Sequence, residues 1–63
     1  MPNSEKATRA LIETNIRARF PGKYTIELEK RELNRWEATI HTEGLDPKYL
    51  TYLVIGDKVV GQN

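Results

Sequence analysis

Few residues of this chain could take part in acid–base or nucleophilic chemistry. The sequence has one histidine, His41, and no cysteine. Nucleophilic catalysis needs a nucleophile, a base and a group that orients the base. His41 alternates with Arg35, Glu37 and Thr39, a pattern that predicts the solvent-facing side of a strand. We therefore expect no catalytic site, and a lone histidine cannot complete a structural zinc shell.

Two further patterns also point away from enzyme chemistry. Glu27 and Glu29 share one face of a predicted strand, where paired carboxylates act as solubilising edge charges. Phosphate-binding loops are rich in glycine, but the glycines here are scattered singly at predicted turns or strand ends: Gly22, Gly44, Gly56 and Gly61. The sequence predicts a protein that is not an enzyme and needs no cofactor or metal.

The length and composition indicate one small domain spanning residues 1–63. With 38% hydrophobic residues and no disulfide, stability must come from packing or from a partner that covers apolar surface. Self-association, for example as a homodimer, is therefore expected. The absence of cysteine fits a reducing compartment, so a cytoplasmic location is predicted. No run of 18 apolar residues suggests a membrane span, and residues 1–10 do not resemble an export signal.

Charge is distributed unevenly although the net charge is only +1. Residues 1–23 contain five basic and two acidic residues, whereas residues 24–63 contain five basic and seven acidic ones. The basic N-terminal segment is either a solvated helix face or a surface for an anionic partner or for the sheet of a second copy. A nucleic-acid-binding role is the alternative function, and it would use Arg9, Arg17, Arg19 and Lys23.

A helix is predicted over residues 4–19. Asn3 and Ser4 are good N-cap residues, and Pro21-Gly22 stops the helix. At 100° per residue two apolar stripes form, with a polar seam between them. The first stripe holds Ile12, Ile16 and Phe20, the second holds Ala7, Leu11 and Ala18, and the seam holds Thr8, Asn15 and Arg19.

The period changes to two after the Pro-Gly stop, which predicts a hairpin of two half-buried strands. The expected register pairs Leu28 with Ala38 and Ile26 with Ile40. It sets Glu29 opposite Glu37, a repulsion that Arg31 and Arg35 can offset. The loop is predicted at residues 32–34, with Asn34 in the left-handed conformation.

Two interpretations compete for residues 48–55. Asp46 as N-cap and Pro47 at the first helical position are typical of a helix. The β-branched and aromatic run at 51–55 favours a strand instead, preceded by a turn at 46–49. Gly56-Asp57 then forms a two-residue hairpin loop. We favour strands at about 50–55 and 58–61, which makes the fold α+β, one helix on a three- to four-stranded antiparallel sheet in the order α-β-β-β-β.

Aromatic residues supply the candidate binding surface. Trp36 shares its face with Ala38 and Ile40 and is expected in the core. Tyr49, Tyr52 and Val59 are the candidate protein-binding residues, because aromatic anchors and an exposed sheet edge at 50–61 suit protein contacts.

The order of these elements resembles the PepSY domain family. The similar segments are Phe20-Pro21-Gly22 after a helix, the alternating acidic strand 24–29, the strand opening at Trp36-Glu37-Ala38, and Gly56-Asp57-Lys58-Val59-Val60. This resemblance implies a helix packed on an antiparallel sheet and an inhibitory or protein-binding role, usually outside the cytoplasm. The chain departs from that setting because no export signal is evident.

Overall fold

The computed structural model describes residues 5–62 and contains one helix followed by four strands. They are α1 (Glu5–Arg19), β1 (Thr25–Lys30), β2 (Arg35–His41), β3 (Lys48–Ile55) and β4 (Lys58–Gln62). The strands form one antiparallel sheet in the order β1-β2-β3-β4, so that every strand pairs with its neighbour in sequence. The predicted α+β fold and its element order are confirmed.

The helix ends where the sequence predicts. Its described part begins at Glu5, and the predicted N-cap residues Asn3 and Ser4 lie outside the described residues. At the other end the Phe20 amide donates to the Ile16 carbonyl at 2.8 Å. The Tyr24 hydroxyl donates to the carbonyl of Phe20 and, at 3.4 Å, to that of Ile16. Tyr24 thus gives the Phe20 carbonyl, just past the helix, a partner and adds a second donor to the Ile16 carbonyl.

The β1–β2 hairpin has the predicted register, with Leu28 opposite Ala38 and Ile26 opposite Ile40. The predicted left-handed conformation of Asn34 is wrong, because within residues 5–62 only glycines have a positive φ. The Asn34 carbonyl accepts a hydrogen bond from the Val54 amide of β3 at 2.9 Å. This contact extends the β2–β3 ladder into the loop and holds Asn34 in a conformation that local turn chemistry does not anticipate.

The strand interpretation of residues 48–55 is confirmed, and the helical alternative is wrong. Leu50, Tyr52 and Val54 alternate into the core, so that burial on one face of a strand outweighs the capping signal at Asp46. The turn predicted at 46–49 lies instead at 42–45. There the Leu45 amide donates to the Thr42 carbonyl at 3.0 Å, and Gly44 has a φ of 82°.

The β3–β4 hairpin closes through the predicted two-residue loop. Ile55 pairs with Lys58 across Gly56-Asp57, and Gly56 has a φ of 63°, which suits the first central position of a tight hairpin turn. Farther along, Val54 pairs with Val59 but Leu53 pairs with Gly61. Val60 is therefore an extra residue, a β-bulge in the outer strand.

The core lies between α1 and one face of the sheet. Trp36 was expected there and is only 2% exposed. The helix contributes Ile12 and Ile16, while Leu11 and Phe20 pack at the margin. Ala7 and Ala18 of the second predicted stripe are exposed. The remaining buried core side chains all come from the sheet: Ala38, Ile40, Leu50, Tyr52 and Val54.

The polar seam of the helix also faces the sheet. Thr8 is buried, and Asn15 and Arg19 meet the hydroxyl of Tyr52, whose side chain is fully buried. That hydroxyl donates to Asn15 Oδ1 at 3.0 Å and accepts from an Arg19 guanidinium nitrogen at 3.2 Å. Arg19 also donates to Gln62 Oε1 at 3.1 Å. A buried hydroxyl needs such partners, and this requirement explains the seam.

Replacing Tyr52 by phenylalanine should lower the free energy of unfolding by about 1–2 kcal/mol, because Asn15 and Arg19 lose a partner at a buried interface. Urea denaturation followed by circular dichroism measures this. Tyr49→Phe is the matched control, since Tyr49 lies on the same strand but is 71% exposed. Equal stabilities for the two variants would contradict the structural role assigned to the Tyr52 hydroxyl.

Candidate protein-binding face

The face of the sheet that points away from α1 is called here the open face. Strand alternation places on it every second residue of each strand, together with Arg31 just after β1 and, at the bulge, both Val60 and Gly61. It has a charged half, carried by β1 and β2, and an apolar half, carried by β3 and β4. Its members are Thr25, Glu27, Glu29, Arg31, Arg35, Glu37, Thr39, His41, Tyr49, Thr51, Leu53, Ile55, Lys58, Val60 and Gly61.

The apolar half exposes four large side chains. Tyr49 is 71% exposed, Ile55 56%, Val60 55% and Leu53 43%. Leu53 lies over Gly61, where an added Cβ would be 3.2 Å from Leu53 Cδ1. The Leu53 side chain therefore occupies the space that a side chain at Gly61 would need. Exposed apolar residues that gather on one half of a sheet face mark a site of interaction more often than scattered ones do.

The charged half is held together by ion pairs. Glu29 lies opposite Glu37, as predicted, and Arg31 contacts both carboxylates, Glu29 at 3.5 Å and Glu37 through a close hydrogen bond. Arg35, the other predicted compensating residue, pairs instead with Glu32 in the loop at 3.5 Å. His41 contacts Glu27. Acidic and basic side chains therefore alternate across this half.

The three candidate protein-binding residues do not form one surface. Tyr49 belongs to the open face, but Tyr52 is fully buried under the helix, and Val59 is half-buried against the core. Tyr49 and Tyr52 are three positions apart on one strand, and residues an odd number apart point to opposite faces. Residues an odd number of positions from the core residue Leu50 point to the open face. This rule identifies Leu53 and Ile55, two residues that are not among the three candidates.

The basic residues of the nucleic-acid alternative are mostly engaged with aromatic rings. The guanidinium carbon of Arg9 lies 5.2 Å from the centroid of the Trp36 ring, and that of Arg17 lies 5.1 Å from Tyr24. Arg19 packs 5.0 Å from Phe20 in addition to its hydrogen bonds. Lys23 is exposed in the loop after the helix. Three of the four cations thus have packing roles in the structure.

The part of the chain that the structure describes, residues 5–62, has no candidate metal site and no candidate membrane-spanning helix. In that range, no three histidine, cysteine or acidic side chains are grouped so that they could hold a metal ion. In the same range, no helix has the length and apolar character needed to cross a membrane. Comparisons with family models, curated proteins and solved structures found no match.

Replacing Arg31 by methionine should destabilise the protein by about 0.5–1 kcal/mol at low salt, because the facing carboxylates of Glu29 and Glu37 lose the cation between them. The loss should shrink in 0.5 M salt, which screens exposed charges. Urea denaturation at both salt concentrations measures the effect.

The double variant Arg31→Met with Glu37→Gln tests the cause. Removing one carboxylate removes the repulsion, so the double variant should regain part of the stability lost in Arg31→Met. If the destabilisations measured for Arg31→Met alone and for Glu37→Gln alone simply add in the double variant, Arg31 does not act by bridging the carboxylates.

Proposed function

We propose that this chain is a non-enzymatic protein-interaction module that binds its partner through the apolar half of the open face. The observation that carries the proposal is the cluster of four large apolar side chains on one side of the sheet, each at least 43% exposed. They are flanked by the charged side chains of β2 on the same face. Apolar side chains bordered by charged ones are typical of a protein interface.

The open face suits this role better than the sheet edges. β4 has only five residues, and its ladder is interrupted by the bulge at Val60. Short and bulged edge strands are devices that prevent pairing with another strand. At the other edge, Arg9 donates to the Leu28 carbonyl of β1 at 3.3 Å and occupies an acceptor that an added strand would need. Both observations favour face-to-face contact over strand addition.

The nucleic-acid alternative has less support. Phosphate binding requires basic side chains that are free to reach the backbone of the nucleic acid. Arg9, Arg17 and Arg19 lie instead against aromatic rings, and Arg19 also holds the Tyr52 hydroxyl. The open face carries both signs of charge, so it offers no basic groove.

A regulatory or inhibitory action follows from such a module. A domain that supplies a contact surface and no chemistry changes a partner by occupying part of its surface. We place this action in the cytoplasm, a reducing compartment that the absence of cysteine fits.

Replacing Leu53 by aspartate should abolish binding, because a carboxylate at the centre of the patch must be desolvated in any contact there. Ala10→Asp is the matched control, since it adds the same group to an exposed position of the helix. Affinity capture from the native host, with the wild type and both variants as bait and thermal melts as the folding check, measures the difference.

Proteins captured equally by all three baits do not bind the open face. The proposal is wrong if neither self-association nor capture of any protein is lost in Leu53→Asp while the variant stays folded.

A further inference from the structure

We infer that the partner of the open face is a second copy of this chain, with the two sheets packed face to face about a two-fold axis. This inference rests on the proposed function and names its partner. The axis lies between the sheets, perpendicular to the strands, at the level of the paired residues Trp36 and Tyr52. The pattern of side chains around this level carries the inference.

On β3, the apolar residues at the two ends of the open face are complementary about this axis. A two-fold rotation of this kind reverses the strand direction and lays β3 of one copy over β3 of the other. Because the axis crosses β3 at Tyr52, Leu53 faces Thr51 of the second copy, and Tyr49 faces Ile55 of the second copy. Tyr49 and Ile55 therefore meet each other across the axis, whereas Val60 lies outside the overlap because β4 extends to one side of the axis only.

The charged half is complementary about the same axis. The axis crosses β2 at Trp36, so that Arg35 of one copy faces Glu37 of the other, and the reverse contact follows by symmetry. On β1 the level of the axis is Lys30, the residue paired with Trp36. Arg31 therefore faces Glu29 of the second copy. Opposite charges meet at each of these positions, and complementary charge fixes the relative orientation of two partners.

The β2 contacts are the decisive ones. Packed sheets keep their strands within about 30° of each other rather than parallel. That rotation displaces facing residues in proportion to their distance from β3, which affects the Arg31–Glu29 contact on β1 more than the Arg35–Glu37 contact on β2. The test therefore reverses charges at Arg35 and Glu37.

The experiment uses sedimentation equilibrium of the purified chain from micromolar to millimolar concentration. The wild type should be a dimer, and Arg35→Glu and Glu37→Arg should each raise the dissociation constant at least about tenfold, because each variant sets like charges against each other twice. The double variant Arg35→Glu with Glu37→Arg should regain dimerisation. Lys6→Glu and Glu43→Arg are the matched charge reversals at exposed positions outside the open face, and they should leave the dimer intact.

Mixing the two single variants gives the sharpest readout. Arg35→Glu and Glu37→Arg differ in mass, so native mass spectrometry separates their heterodimer from either homodimer. The heterodimer restores opposite charges at both contacts and should dominate the mixture. A folding defect in either variant cannot produce that result.

Two outcomes overturn the inference. One is a dimer whose dissociation constant is unchanged in both single variants. The other is a wild type that stays monomeric at millimolar concentration. If in that case Leu53→Asp still abolishes capture of another protein, the proposed function stands and only the identity of the partner is wrong.

Discussion

The hydroxyl of Tyr52 sets the arrangement of the whole domain. Tyr52 lies on β3, an inner strand, and its side chain is fully buried, so its hydroxyl must find partners inside the protein. The helix supplies them through Asn15 and Arg19, which fixes the rotation of α1 about its axis. Arg19 then reaches Gln62 and links the helix to the outer strand β4. A polar contact thus specifies how a small apolar core is assembled.

The helix covers only one face of the sheet and leaves the other face bare. One 15-residue helix spans about 22 Å, which is enough to cover one face of a four-stranded sheet and no more. The inward residues of β3 are buried beneath it, and the outward residues Leu53 and Ile55 keep 43% and 56% of their surface exposed. Apolar and polar residues do not alternate fully on β3, because large apolar side chains lie on both faces of the strand. Packing in the core explains only those that point toward the helix.

Much of the fold follows from local patterns in the sequence. The change of period from 3.6 to 2, the Pro-Gly stop and the two-residue loop at Gly56-Asp57 predict the elements, and alternation sets the β1–β2 register. The errors arise where distant parts of the chain decide. Asn34 is held by the Val54 amide, a contact that requires β3 to be in place. Tyr49 and Tyr52 are separated for a different reason: they are close in sequence, but strand parity places them on opposite faces of the sheet.

The basic character of the helix has a physical explanation that does not involve a ligand. Among the described residues, 5–62, one helix and one sheet make up the structure, and the rings at the margin of the core have no second layer to cover them. The stems of Arg9 and Arg17 cover Trp36 and Tyr24 while their charged groups remain at the surface. Leucine at these two positions would cover the same rings but would add exposed apolar surface to the helix. Arginine is therefore the residue that completes the core and keeps the helix hydrated, which leaves the open face of the sheet as the surface whose composition packing does not explain.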